Sequence, residues 1–88
     1  ISSAASTVKR VPSSNAVSIV DPPKRAKDAY PISTFTYAIV PHDAAKKGEL
    51  QSFVNYVITT GQKYGAALDF APLPKVVLAA AKRAVGAL

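Results

Sequence analysis

Cysteine, methionine and tryptophan are absent from the 88 residues, histidine occurs once, and aspartate and glutamate together number only five. Without cysteine the chain has no disulfide framework and no thiolate metal site. One histidine among five carboxylates offers no spacing that indicates a metal centre. A fold of this length without such cross-links has to depend on its hydrophobic core.

The sequence also lacks long hydrophobic runs. No apolar run is long enough to cross a membrane, and no signal-peptide pattern is present. The chain opens with Ile1 and a run of small residues that resembles the tail of a helix. We therefore expect it to be a segment cut from a longer protein. That the sequence is 49% hydrophobic predicts a folded chain.

Positive charge is in excess, with eleven lysines and arginines and a net charge of +6. Such a balance permits nucleic acid, an acidic membrane surface or anionic solutes as partners. The basic residues, however, form short pairs that apolar segments separate, and no basic tail is present. This distribution predicts a solvated basic surface, and no nucleic-acid partner is expected.

The stretch over residues 30–41, YPISTFTYAIVP, has the composition of a β-strand. Its side chains alternate between two faces, and both faces carry bulky β-branched or aromatic residues. That pattern predicts a central strand of an α/β sheet, covered on both sides. Residues 16–20, AVSIV, are a second and shorter strand candidate, which Asp21, Pro22 and Pro23 end because proline cannot donate to a ladder.

Two helices are predicted in the second half of the chain. Hydrophobic residues at the spacing of one helix face predict the first, over residues 45–68: Leu50, Phe53, Val54, Val57 and Ile58. Pro72 and Pro74 interrupt the chain after it, and Pro74 suits the first turn of a final helix through KVVLAAAKRAVGAL. The residues before position 10 are expected to close a short helix.

Few side chains are suited to catalysis. His42 and Asp43 are neighbours after the predicted strand, but adjacent turn residues seldom orient one another, and no nucleophile accompanies them. We interpret them as surface turn residues, with Asp43 as a helix N-cap. The four glycines are dispersed, so no phosphate-binding loop is present. Neither an enzymatic activity nor a cofactor or metal is expected.

Hydroxyl and aromatic side chains of the predicted central strand allow two interpretations each. The hydroxyls could bind an anion, but within an apolar strand they more often bond to the backbone or pack: Ser33, Thr34 and Thr36. The rings could stack on RNA bases, but the glycine and basic residues of such a platform are absent, so we interpret them as core: Tyr30, Phe35 and Tyr37.

Several short motifs follow one another along the chain. VSIVDPP precedes AYPISTFTYAIVP, and FVNYVITTGQKYGAALDFAPLPKVV follows it. Together they resemble the C-terminal part of the PstS-like phosphate-binding proteins, which serve the ABC phosphate transporter. The resemblance covers nearly the whole chain. Each motif alone is weak, and the specific signal is their order.

The resemblance implies an α/β fold, namely the C-terminal fragment of a two-lobed periplasmic-binding-protein-like fold with two strands and two long helices. Residues 1–28 would end the second lobe, residues 29–33 would form the crossing between the lobes, and residues 34–88 would be the C-terminal part of the first lobe. The hinge residues that this implies are Ala29, Tyr30, Pro31, Ile32 and Ser33.

In that family serine and threonine hydroxyls, backbone amides, an aspartate and an arginine hold phosphate at helix N-termini and loops. These motifs lie in earlier parts of the family's chain, and none matches a position here. We therefore expect no phosphate-binding residue in this fragment, and assign no such role to Arg10, Arg25 or Arg83. The implied protein is extracytoplasmic, in the periplasm or at the cell surface, and secreted or lipid-anchored.

The function implied is the capture of inorganic phosphate, through the missing N-terminal portion, for import by an ABC permease. This fragment would supply scaffold and hinge. The alternative is that the same scaffold serves as an adhesion or enzyme-inhibiting interaction protein. We also expect the fragment either to associate with the missing segment or to self-associate, because the faces of Phe35, Tyr37 and Ile39 would lack their neighbours.

Overall fold

The computed structural model describes the whole chain, Ile1–Leu88, and contains helices but no β-strand. The three α-helices are α1 (Ser2–Ala5), α2 (Lys47–Ile58) and α3 (Lys75–Gly86), and two 3-10 helices lie between the last two, at Thr60–Tyr64 and Ala66–Leu68. Helix accounts for 41% of the residues. Turns and irregular chain connect α1 to α2. No helix has both the length and the hydropathy needed to span a membrane.

The predicted fold class, an α/β fragment of a two-lobed periplasmic-binding-protein-like fold with two strands, is wrong, because the structure is all-helical. A strand requires successive backbone hydrogen bonds to a neighbour. A single backbone bond links the two candidate strands and their flanks, from the Asp21 amide to the Pro31 carbonyl at 2.9 Å. The Tyr37 hydroxyl accepts a hydrogen bond from the Val17 amide at 3.0 Å and donates one to the Val17 carbonyl at 2.9 Å. The backbone groups of Val17 thus bond to a side chain and not to the backbone of a neighbouring strand.

The first long helix is shorter than its hydrophobic spacing predicts. Helix α2 begins at Lys47, after the N-cap residue Lys46, so the prediction that Asp43 caps it is wrong. It ends before Thr59, whose φ of −116° and ψ of −96° are not helical, and the chain continues in 3-10 turns. At Gly61 a Cβ atom would lie 3.1 Å from the Tyr56 carbonyl oxygen, so the absence of a side chain permits this close turn.

The second long helix lies where the sequence predicts it. Helix α3 begins at Lys75, and Pro74 is its N-cap with an extended backbone. It packs against α2, and the Gln51 side chain Nε2 donates a 2.7 Å hydrogen bond to the Val85 carbonyl. This bond ties the middle of α2 to the last turn of α3.

Buried side chains are few and lie mainly in the first half of the chain. Seven of the 88 residues are buried, and four of these form one cluster: Ala4, Ala5, Val8 and Ile19. Ala29, Phe35 and Val77 are partly buried and pack against it. The cluster therefore unites α1 with the irregular chain and with α3, whereas α2 contributes no buried residue.

Candidate functional site

The candidate hinge, residues 29–33, forms an exposed arc, and both of its end residues are packed against other residues. Ala29 packs against the buried cluster at one end. Ser33 at the other end is 5% exposed and is the only buried polar residue. Tyr30, Pro31 and Ile32 between them are exposed to solvent.

Hydrogen bonds close this arc into a turn. The Ser33 amide and its Oγ hydroxyl both donate to the Tyr30 carbonyl, at 3.4 and 3.0 Å. The Pro31 carbonyl accepts from the Asp21 amide, where the chain turns with φ of 52°. Aspartate tolerates this left-handed conformation better than most residues. The Ser33 hydroxyl is thus engaged in the turn.

The arc is a short exposed segment between the packed Ala29 and the buried Ser33. A hinge needs a few residues whose backbone angles change while both ends stay packed. Each turn bond contributes about 0.5–1.5 kcal/mol net, and breaking the bonds of the buried Ser33 costs more if its donors find no new partner. Pro31 has a fixed φ, which leaves rotation to the residues beside it.

The remaining candidate residues of the sequence lie outside the hinge segment, which Thr34 follows directly. His42 and Asp43 are exposed in a turn, as expected. Thr34 Oγ1 donates to the Phe35 carbonyl at 3.4 Å, so this hydroxyl bonds to the backbone as predicted. No group of three metal-ligating side chains is present.

Only one of the three aromatic residues in this stretch lies in the core. Phe35 is half-buried and packs against the buried cluster. Tyr30 and Tyr37 are more than half exposed, so the prediction that they are core residues is wrong. Tyr37 is exposed because its hydroxyl reaches across to Val17 instead of entering the interior.

A polar cleft of about 530 Å³ lies beside α1. Among its lining residues are three serines of the first turns and three charged residues: Ser2, Ser3, Ser6, Arg25, Lys27 and Asp28. All six are exposed, and the lining includes the acidic Asp28 as well as the basic Arg25 and Lys27. Tight oxyanion sites instead use fixed backbone amides and bidentate arginines. The cleft therefore has the character of a solvated surface.

Residues that sequence reasoning missed hold the helical half together. The Gln62 side chain donates from Nε2 to the Val57 carbonyl at 3.0 Å, and its Oε1 accepts from the Leu73 amide at 3.1 Å. It thereby joins the end of α2 to the chain that leads into α3. Nothing in the sequence indicates that a glutamine at this position forms such a bridge.

No protein-family model matches the chain, and no solved structure matches it. The resemblance to phosphate-binding proteins therefore depends on the ordered motifs alone.

Proposed function

We propose that this chain is part of an extracytoplasmic phosphate-binding protein that captures inorganic phosphate for import by an ABC transporter. The observation that carries the proposal is the order of VSIVDPP, AYPISTFTYAIVP, TTGQKY and LDFAPLP. In this proposal the 88 residues supply scaffold and, through residues 29–33, a hinge. The phosphate ligands belong to other parts of the protein.

The extent of exposed apolar surface supports a scaffold role. Only seven residues are buried, while large hydrophobic side chains on the irregular chain, α2 and the 3-10 helix are open to solvent, among them Ile32, Phe53 and Leu68. Large apolar patches on a protein surface usually contact another part of the protein or a partner. A segment that packs against the rest of a larger protein would have such surfaces.

The chemistry of the polar side chains agrees with a segment that does not itself hold phosphate. Arg25 and Lys27 are exposed beside Asp28, and the Ser33 and Thr34 hydroxyls bond to nearby carbonyls. A phosphate site that excludes water needs cations and amides with fixed positions. These side chains offer no such constellation.

Titration calorimetry with inorganic phosphate tests the proposal. We expect no binding by the 88-residue chain, and binding by the longer protein that includes the N-terminal portion, with sulfate as the control anion. Micromolar or tighter binding by the 88 residues alone would contradict it. Failure of the longer protein to bind phosphate would contradict it as well.

A matched pair of proline substitutions in the longer protein tests the hinge. Pro31→Gly adds backbone freedom inside the arc, whereas Pro41→Gly adds it outside, and both prolines are exposed. Extra freedom shifts the balance between open and closed states, so we expect Pro31→Gly to change the phosphate dissociation constant about two- to fivefold. An equal change from Pro41→Gly would remove the hinge assignment.

The second candidate function is an interaction protein that uses the same scaffold for adhesion or enzyme inhibition. The observation in its favour is the exposed face of α2, which presents Phe53, Tyr56 and Val57 at helical spacing. Aromatic side chains of this kind are enriched at protein interfaces. Absence of phosphate binding in the longer protein, together with partner binding that Phe53→Ala abolishes, would favour this function.

A further inference from the structure

An apolar cavity of about 230 Å³ lies between the irregular chain and the inner faces of α2 and α3. Twelve of its fourteen lining residues are hydrophobic. The half-buried and buried lining residues form the interior and come from both long helices and from the irregular chain, among them Val54, Val77, Val85 and Val17. Exposed lining residues form the rim: Asn15, Thr36, Tyr37, Ala38 and Ala84.

Water is a poor occupant of this interior. A bound water needs two to four polar partners, and the interior side chains provide none. An empty space of this kind also leaves its lining atoms without dispersion contacts on one side. An apolar molecule that fills it gains both the contacts and the removal of its own surface from water.

The cavity's size and lining favour a fused aromatic ring. Apolar cavities of about 150 Å³ bind benzene in other proteins, and this one is larger. The Phe35 and Tyr37 rings are part of the lining and can pack against a bound ring in an offset or edge-to-face arrangement. The Asn15 amide and the Thr36 hydroxyl at the rim can donate to a polar head group.

Charge favours an anionic head group. No carboxylate side chain lines the cavity, so no fixed negative charge there opposes an anion. The net charge of +6 attracts anions to the surface in general. We propose that this cavity binds a bicyclic aromatic carboxylate, with its ring between the helices and its carboxylate at the rim. This site is independent of the proposed capture of phosphate.

Fluorescence titration with indole-3-acetate provides the test, because the protein has no tryptophan and all indole emission comes from the ligand. We expect a saturable blue shift at one ligand per chain. Tryptamine, which has the same ring and a positive charge, should bind at least about threefold more weakly at low salt. Absence of a saturable shift with indole-3-acetate would overturn the proposal, and equal affinity for tryptamine would overturn the anionic head group.

Two alanine substitutions on α3 locate the site. Ala81→Leu fills part of the cavity and should weaken binding at least about tenfold, because the added carbons occupy the ligand's space. Ala79→Leu is the matched control, since Ala79 is exposed and does not line the cavity. Equal affinity of the two variants would show binding to scattered surface patches and contradict the proposal.

Methyl chemical shifts of the unsubstituted protein give an answer that does not depend on whether a variant folds. On addition of indole-3-acetate we expect the largest shifts at Val77 and Val85, and small shifts at the exposed Val20 and Val76 outside the cavity. Largest shifts at the outer residues would contradict the site. A dimer in sedimentation that excludes the ligand would mean that a second copy fills the cavity, and would also overturn it.

Discussion

Most of the helical residues lie in one half of the molecule, and most of the buried residues lie in the other. The half after residue 46 contains both long helices, yet α2 has no buried residue and α3 has only Ala80 and Val85. The half before it has one four-residue helix, yet it contains the buried cluster and the buried Ser33. Helices form through local hydrogen bonds, whereas burial requires surfaces that enclose one another. In this chain the position of the two long helices therefore does not locate the core.

The largest expected effect comes from the centre of the buried cluster. Ile19 is 3% exposed, so Ile19→Ala should lower the free energy of unfolding by about 2–5 kcal/mol through lost contacts and a cavity. Denaturant titration followed by circular dichroism measures the change.

The same substitution at an exposed isoleucine is the control for Ile19→Ala. Ile39 is 92% exposed, and Ile39→Ala should change the free energy of unfolding by no more than about 0.5 kcal/mol. Equal losses at the two positions would mean that the irregular half has no core of its own, and the contrast between the halves would disappear.

The helical half should depend more on side-chain hydrogen bonds than on burial. Gln62→Ala removes the bonds to Val57 and Leu73 and should cost about 1–3 kcal/mol in the free energy of unfolding, at about 0.5–1.5 kcal/mol for each bond. Gln62→Glu keeps the acceptor for the Leu73 amide and should cost less. A larger loss from Gln62→Glu than from Gln62→Ala would contradict the assigned bonds.

The irregular half has a comparable but weaker tie at Tyr37. Tyr37→Phe removes the two hydrogen bonds to Val17 and should cost about 1 kcal/mol, less than two full bonds because both groups are exposed. Faster hydrogen exchange at the Val17 amide should accompany it. Tyr30→Phe, also at an exposed tyrosine, should leave both measurements unchanged. Identical behaviour of the two variants would exclude a role of the Tyr37 hydroxyl.

The smallest expected effect is a gain in α2. A Cβ atom at Gly48 meets nothing within 4 Å, so Gly48→Ala should raise the free energy of unfolding by about 0.5 kcal/mol through reduced backbone entropy. Gly61→Ala should lower it, because the added carbon would lie 3.1 Å from the Tyr56 carbonyl oxygen. Thermal unfolding of the two variants shows whether each substitution raises or lowers the free energy of unfolding. A gain in stability from Gly61→Ala would contradict the close turn.

The sequence predicts that the two long helices exist because the signals for a helix are local. Hydrophobic spacing around Leu50 and Val54 indicates α2, and Pro74 marks the beginning of α3. The end of α2 at Ile58 is missed, because the hydrophobic spacing continues past the point where the backbone at Thr59 leaves the helix.

The irregular half could not be predicted in the same way. The β-branched run over residues 30–41 indicates a strand only if another segment offers a continuous backbone edge, and that is not a local property. Residues 16–20 lie close enough for the Tyr37 hydroxyl to bond to Val17, but the backbones do not pair. At the candidate hinge, Ala29 packs against residues distant in the sequence, and Ser33 is held by a turn. Composition reveals neither interaction.

Nuclear Overhauser effects in the isotopically labelled protein test most directly whether burial and regular structure lie in different halves. We expect methyl contacts between Ile19 and the alanines of α1, helical chemical shifts over Lys47–Ile58 and Lys75–Gly86, and no Hα–Hα contacts between residues 16–20 and 30–41. A regular series of Hα–Hα contacts between those two segments would contradict the structure, because only a paired ladder brings these protons together.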